Sequence, residues 1–370
     1  MANKKFKYYS LENIEKKNAH YNVIFGERSN GKTYAVLEKM VRDYFEDGSE
    51  GAIIRRWQDD FKSKRGQMFF AGLSENGVIK KYSKDVFDHV DYYGGRFYMA
   101  SWFIDEDTGA RQSIKDDKPF AYAFALSAME HDKSTSYPKV RNILFDEFIT
   151  RDSYFADEFV IFTNVLSTIV RLRKDVKIYM LGNTVNKYCP YFAEMGLVNV
   201  KKMTPGTIDL YRYGESELKV AVEYTGSGDS DKKESNVLFA FNNPKLAMIT
   251  HGSWEIDIYP HLPSRYVNSD IIFTYFIIWT DEILQCEIIF TGHSMFTYIH
   301  RKTSEIKNPD SDIIFTTDFD SRPNYYRNLK RSVDVLSKKI GDFFKKYKVF
   351  YQDNEVGEIV RNYLLWCDQN

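Results

Sequence analysis

The chain has 370 residues, 43% of them hydrophobic and 28% charged, with a formal net charge of −1. That length accommodates two domains, and that balance excludes both a disordered chain and a polycation that holds nucleic acid over its whole surface. Cys189, Cys286 and Cys367 stand far apart, and the seven histidines are scattered, so no zinc motif is present and a reducing compartment is expected.

Met1–Lys5 lacks the apolar core of a signal peptide. The first predicted element is a short buried strand, Tyr21–Phe25. Gly26-Glu27-Arg28-Ser29-Asn30-Gly31-Lys32-Thr33 follows, an unbroken match to G-x-x-x-x-G-K-[ST]. Val36, Leu37, Met40, Val41, Tyr44 and Phe45 then recur at helical spacing. Strand, loop and helix in that order set phosphates at a helix N-terminus, so the eight loop residues are expected to bind a nucleoside triphosphate. Lys32 is expected on the β- and γ-phosphates, and the Thr33 hydroxyl on Mg²⁺.

Gly51–Trp57 reads as a second strand, and an irregular aromatic-rich stretch comes after it. Arg55 and Arg56 suit nucleotide, nucleic acid or solvent equally. Asn142–Asp146 reads as a buried strand ending in two carboxylates. Asp146 is expected to hold Mg²⁺, and Glu147 to orient and deprotonate a water. Phe159–Leu172 reads as a helix with Phe162, Val165, Leu166, Ile169 and Val170 on one side. Arg171 and Arg173 at its end either answer the helix dipole or supply a finger to a neighbouring subunit. Lys133, in the polar loop before the Asp146 strand, is either a surface lysine or a second such cation. Lys177–Leu181 reads as a strand whose tip carries Asn183, a nucleotide sensor or a plain turn residue. Repeated β–α alternation over residues 20–200 predicts a mainly parallel sheet with helices on both faces.

Residues 201–235 read as a linker. It holds two strands, Thr207–Tyr213 and Leu218–Tyr224, and a Gly/Ser-rich flexible stretch from Thr225 to Ser235. From residue 236 a hairpin is predicted over Asp270–Thr280 and Glu282–Thr291, a strand over Asp312–Thr317, and helices over Asn328–Lys346 and Glu355–Trp366. The apolar run Ile271–Trp279, broken by Thr274, is too short to cross a bilayer, so no membrane partner is expected. Residues 322–348 carry nine basic and two acidic residues with five aromatics among them, either a phosphate-contacting surface or a solvated helix face.

Four segments stand in an order and spacing that together resemble a known family. They are Gly26–Thr33, Asp146-Glu147-Phe148, Thr168–Arg173, and Gly182-Asn183-Thr184-Val185 leading to Pro190-Tyr191-Phe192. Lys133–Pro138 fits the same pattern. The chain resembles the DNA-packaging ATPases of small short-tailed phages whose motor also uses a packaging RNA. The resemblance covers about residues 20–200, with Val356–Asn362 as a weaker echo. It implies a P-loop ATPase domain of ASCE type (1–200), the linker (201–235), and a C-terminal α/β RNase H-like domain (236–370). That last domain is implied to have lost its nuclease acids and to bind nucleic acid. The resemblance further implies a homopentameric ring on a capsid portal, using ATP and Mg²⁺ to drive double-stranded DNA inward from the host cytoplasm. It makes Arg171 a trans-acting finger and Lys133 a second trans-acting residue.

Three rivals remain at this stage. One is a full packaging enzyme with an active nuclease, for which Asp257, Asp281, Asp318 and Asp320 are available. The others are a metabolic kinase, which Glu147 disfavours, and a nucleotide-gated scaffold without turnover.

Overall fold

In a computed structural model of the chain, residues 8–62, 64–107, 109–131, 135–152, 154–226, 254, 257, 259–262, 266–331 and 334–369 are described. They form two compact units, one from residues 1–151 and 157–254, the other from 152–156 and 255–370.

The first unit opens with a short helix, α1 (Glu12–Glu15), and strand β1 (Tyr21–Gly26), then α2 (Lys32–Asp47) and β2 (Glu50–Arg55). Short helices α3 (Lys64–Met68), α4 (Ala71–Glu75) and α5 (Val78–Ser83) lead to β3 (His89–Tyr93), β4 (Arg96–Ile104) and β5 (Arg111–Ala125). Next come β6 (Val140–Asp146), α6 (Glu158–Val170), β7 (Lys177–Asn183), α7 (Pro190–Glu194), β8 (Thr207–Arg212) and β9 (Lys219–Tyr224). The strands make one sheet in the order β3-β4-β5-β2-β6-β7-β1-β9-β8. Its six central strands, β5 to β9 in that order, are parallel, while the edge pairs β3–β4, β4–β5 and β8–β9 are antiparallel.

The central strands are continuous apolar runs because helices cover both faces. Val23, Ile24, Phe25, Ala52, Ile53, Ile54, Ile143, Leu144 and Phe145 are all fully buried. Helix α2 turns Val36, Leu37, Met40 and Val41 into the same core. Gly48, with φ +77°, ends it by donating its N–H to the Tyr44 carbonyl at 3.1 Å. Each parallel crossover returns the chain to the same starting edge. The carboxyl ends of β1, β2, β6 and β7 therefore gather at one end of the sheet, the end where open parallel sheets bind ligands.

Two expectations change. The strands assigned to a linker are β8 and β9, and β9 pairs with β1 along Tyr21–Phe25 inside the main sheet. Its residues from Val220 to Tyr224 are all buried, Ala221 and Glu223 on one face and Val220, Val222 and Tyr224 on the other. The first compact unit accordingly extends beyond residue 200. The aromatic-rich stretch is also not irregular, because it supplies α3–α5 and the antiparallel β3–β4–β5 edge. The Gly/Ser-rich stretch from 227 onward lies outside the described residues.

In the second unit β10 (Ile271–Trp279), β11 (Glu282–Phe290) and β12 (Met295–Arg301) form an antiparallel meander. Strand β13 (Ile313–Thr316) lies parallel to β10, β14 (Tyr325–Tyr326) parallel to β13, and β15 (Val349–Tyr351) parallel to β12. The order β14-β13-β10-β11-β12-β15 puts the first strand of the meander in the middle. Helices α8 (Val335–Lys345) and α9 (Asn354–Gln369) complete this α/β unit. Its core includes Tyr275, Ile277, Leu284, Cys286, Phe315, Ile340, Ile359 and Tyr363. Helix α8 is shorter than expected. Asp334 caps it by accepting the N–H groups of Leu336 and Ser337, which fixes its start.

Candidate nucleotide site

Gly26 ends β1, and the loop curls back to start α2 at Lys32. Two glycines are required here. Gly26 has φ +149°, and a Cβ on it would lie 2.0 Å from the Thr225 hydroxyl oxygen. Gly31 has φ +94°, and a Cβ there would meet the Tyr8 ring at 3.2 Å. Asn30 ties the loop to the sheet. Its amide donates to Thr225 Oγ1 at 3.1 Å, and its carbonyl accepts the Tyr9 N–H at 2.9 Å. Tyr9 in turn donates its hydroxyl to Glu223 at 2.6 Å, so β9 and the N-terminal segment brace the loop from one side. Glu27 contributes its carbonyl to Lys32, Ser29 takes a left-handed φ of 58°, and Arg28 is exposed.

Lys32 is buried. Its Nζ donates to the Glu27 carbonyl at 2.6 Å and to Asn30 Oδ1 at 3.2 Å, acceptors inside its own loop. Burial pushes its pKa down to about 8, and Asp146 and Glu27 oppose the shift. Thr33 donates its hydroxyl to Asp146 Oδ1 at 3.1 Å across the gap between α2 and β6. The two residues expected to share Mg²⁺ are therefore adjacent.

Asp146 is buried, and desolvation raises its pKa while Arg55 pulls it down. Arg55, at the end of β2, donates Nη1 to Asp146 Oδ2 and Nη2 to Glu147 Oε2, both at 2.9 Å. Its Nε also lies 3.4 Å from Asp60 Oδ2. A guanidinium thus neutralises the paired carboxylates, and this cation marks where positive charge is wanted. The donor set of a hydroxyl beside a carboxylate, with oxygen ligands only, fits Mg²⁺. Glu147 has the left-handed φ of 59° and is exposed, so its carboxylate turns outward past the strand end toward Arg55.

Arg56 is a different kind of residue. It is buried, clasps Glu158 with Nε and Nη2 at 2.9 Å, and donates to the Phe148 carbonyl at 2.9 Å. Tyr191 donates its hydroxyl to the same Glu158 at 2.9 Å. These contacts fix the start of α6 and the backbone just after Glu147. The choice left open for the Arg55–Arg56 pair is thereby resolved: Arg55 faces the site and Arg56 holds the scaffold.

Asn183 ends β7 in register with Gly26, and the next N–H, of Thr184, donates to the Gly26 carbonyl at 3.2 Å. Arg171 stands elsewhere. Helix α6 starts at Glu158 beside the site and runs back along the sheet. Its 13 residues, at about 1.5 Å each, carry Arg171 roughly 20 Å from that end. Arg171 is exposed, has φ +53°, and donates Nη2 to the Thr135 carbonyl at 3.2 Å. Arg173 donates to the carbonyls of Tyr137, Pro138, Val140, Ile169 and Val170. It pins the helix end, which leaves Arg171 as the outward-facing member of the pair. Lys133 lies outside the described residues.

Sequence reasoning missed the Arg55 bridge, the Arg56–Glu158–Tyr191 clasp and the Thr225–Asn30 tie. A basic pair after an apolar strand was visible, but its partners lie about ninety and a hundred residues away along the chain.

Comparison with known proteins follows the same lines. The chain is 29% identical over 180 residues to the DNA packaging protein of Bacillus phage B103, covering 48% of each. It is 28% identical over 181 residues to that of Bacillus phage phi29, covering 48% of this chain and 46% of the relative. The chain spans about half the length of the curated relatives it matches. In fold it is similar to a chain of the bacteriophage Phi-29 viral genome packaging motor assembly, with a TM-score of 0.57, 20% identity, and coverage of 98% and 99%. It is also similar to the Phi-28 gp11 DNA packaging motor, with a TM-score of 0.55, 16% identity and 98% of both chains covered. Residues 3–212, more than half of the chain and including Lys32, Thr33, Arg55, Asp146, Glu147 and Asn183, match the podovirus DNA encapsidation protein (Gp16) family, and the chain belongs to that family.

Proposed function

We propose that this protein is an ATP-hydrolysing motor subunit that moves viral double-stranded DNA into an empty procapsid. In this reading it works as a ring of identical subunits, in the host cytoplasm and docked on the capsid portal. The observation that carries the reading is the convergence of Lys32, Thr33, Asp146 and Glu147 at one end of a parallel sheet, in a chain of the DNA encapsidation family. Lys32 exchanges its loop acceptors for phosphate oxygens, and the loop N–H groups hold the rest of the polyphosphate. Thr33 and Asp146 would hold Mg²⁺, which when bound would supply positive charge against the polyphosphate. Glu147 orients the attacking water and takes its proton. Asn183, beside Gly26, is placed to report whether the terminal phosphate is present.

Arg171 acts across the subunit boundary. Its position at the far end of α6 supports this, because it cannot reach its own loop. A finger of this kind raises turnover by about 10³–10⁵. The packaging RNA, the pentameric count and the trans role of Lys133 belong to the same proposal and rest on the family alone. The second unit binds nucleic acid without cutting it in this reading. In support, its central strand β10 carries no carboxylate, and Asp320 is engaged with Arg322 at 2.7 Å. Metal-dependent nicking of plasmid DNA by the full chain would favour the rival, an active nuclease.

The test is steady-state phosphate release with and without duplex DNA. Wild type is expected to be stimulated by DNA. Glu147→Gln and Arg171→Ala are each expected to be nearly inactive, and mixing the two is expected to restore part of the turnover. If Arg171→Ala is silent where subunits associate, the shared site is wrong and a self-contained ATPase remains.

A further inference from the structure

Trp254, the last residue of the first unit, is seated on the residues from which the phosphate loop hangs. Its ring lies 5.2 Å from that of Phe25, 6.1 Å from Tyr224 and 6.4 Å from Phe192 on α7, between ring centres. Phe25 immediately precedes Gly26, and Tyr224 immediately precedes Thr225, which braces the loop. The buried indole N–H has no acceptor among the described residues, so the indole is held in its seat by ring packing and not by a hydrogen bond. Five positions later in the chain, Tyr259 is anchored in the second unit. A Cβ on Gly357 of α9 would lie 2.2 Å from the Tyr259 ring, so the ring rests directly against helix backbone. Its hydroxyl donates to Glu358 Oε2 at 2.9 Å and its N–H to Asn354 Oδ1 at 3.0 Å. The next carbonyl, of Pro260, accepts the Tyr351 N–H of β15 at 2.9 Å. Each anchor lies within its own unit, and so short a piece of chain between them has little slack.

We propose that Trp254 is a nucleotide-sensitive pin. Polyphosphate at the Gly26–Thr33 loop loosens its seat, and the short strap to Tyr259 carries that change to α9 of the second unit. The inference rests on the nucleotide-site reading and adds a route out of that site. An unbroken set of contacts supports the route. Lys32 Nζ donates to Asn30 Oδ1 at 3.2 Å, and Asn30 Nδ2 donates to Thr225 Oγ1 at 3.1 Å. Thr225 donates its N–H to the Phe25 carbonyl at 2.8 Å, and the Phe25 and Tyr224 rings, 4.8 Å apart, form the seat. A ligand shifts such an equilibrium only through contacts that differ between the two states. Lys32 supplies the difference, with Asn30 as its acceptor in one state and phosphate oxygens in the other. Once Lys32 turns away, Asn30 loses a partner and its hold on Thr225 relaxes, which moves the wall of the Trp254 seat.

The decisive experiment is amide hydrogen exchange on the full chain, with and without a non-hydrolysable ATP analogue and Mg²⁺. In wild type, exchange in Gly26–Thr33 is expected to slow, while exchange at Tyr259 and in the first turn of α9 rises at least about fivefold, the lower end of ordinary coupling between sites. In Trp254→Ala, exchange at Tyr259 and α9 is expected to be raised already without the analogue and to change less than about twofold on adding it. Slowing of Gly26–Thr33 in that variant shows that it is folded and binds. Trp254→Phe, which keeps an aromatic ring in the seat, is expected to retain the response. A wild-type response confined to Gly26–Thr33 overturns the pin and leaves the nucleotide site standing. A full response of α9 in Trp254→Ala also overturns it, because the change then travels by another route. No response in Gly26–Thr33 of wild type overturns both readings.

Discussion

Arg55 is the residue on which the site's resting electrostatics turn. Asp146 is buried, and Arg55 is its cation at 2.9 Å. Removing one partner of a buried pair costs about 3–5 kcal/mol because the other is left uncompensated. Arg55→Ala is therefore expected to lower stability by on the order of 3 kcal/mol in metal-free buffer. Added Mg²⁺ is expected to restore part of the loss, and denaturant titrations with and without the ion measure it. Equal losses in both buffers would separate Arg55 from the metal site. Lys32 makes a pH prediction. Its pKa in the folded protein is about 8, below the ordinary 10.5. Between those values the unfolded chain binds more protons, so the cost of burying this ammonium falls as pH rises through the window. Nucleotide binding runs the other way, since polyphosphate needs the charged form. Affinity of the free protein for ATP is expected to fall about tenfold per unit well above pH 8. Calorimetric titration from pH 7 to 9.5 checks it, and a flat profile would contradict the assigned contact.

At the scale of elements, α6 is the part that connects the two ends of the sheet. One end is fixed by the Arg56–Glu158–Tyr191 clasp and the other by Arg173 on five carbonyls. Glu158 has no exposed side-chain surface. Arg56→Met is expected to destabilise the protein by about 3–5 kcal/mol through the stranded carboxylate. Adding Glu158→Gln in that background is expected to recover part of it, as urea melts of the single and double variants will read out. If the double variant is no better than the single, the loss comes from packing rather than from charge. Strand β9 shows why one-sided patterning misleads. Leu218, Val220, Val222 and Tyr224 alternate as a half-exposed strand does, yet Ala221 and Glu223 between them are buried as well, so both faces are covered.

On the whole molecule, the charge that the net value of −1 hides is local. In the basic stretch the structure separates engaged from available cations. Arg322 pairs with Asp310 and Asp320, and Lys330 with Asp368. Lys338, Lys339, Lys345 and Lys348 are exposed and make no ion pair among the described residues, and Tyr347 beside them is 92% exposed. Neutralising those four lysines to Gln is expected to reduce the salt dependence of duplex DNA binding. The slope of log affinity against log salt should fall by about 0.9 for each DNA phosphate that is no longer neutralised. An unchanged slope across a salt titration would make this face a solvated one.

The phosphate loop, the Asp146–Glu147 strand end and the parallel α/β core of the first unit were legible in the sequence. Each is a local pattern: a glycine-spaced loop, a buried apolar run, a helical repeat. Asn183 and Arg171 were legible as candidates, because strand and helix ends are local as well. What those candidates face was not legible. The Arg55 bridge, the Arg56 clasp, the seating of β9 beside β1, and the separation of Arg171 from its own loop all join residues far apart in the chain. Pairing over such separations is set by how the strands order in the sheet and by which charges are left in low dielectric once the core closes. Periodicity and spacing carry the first kind of information, and only the closed tertiary structure decides the second.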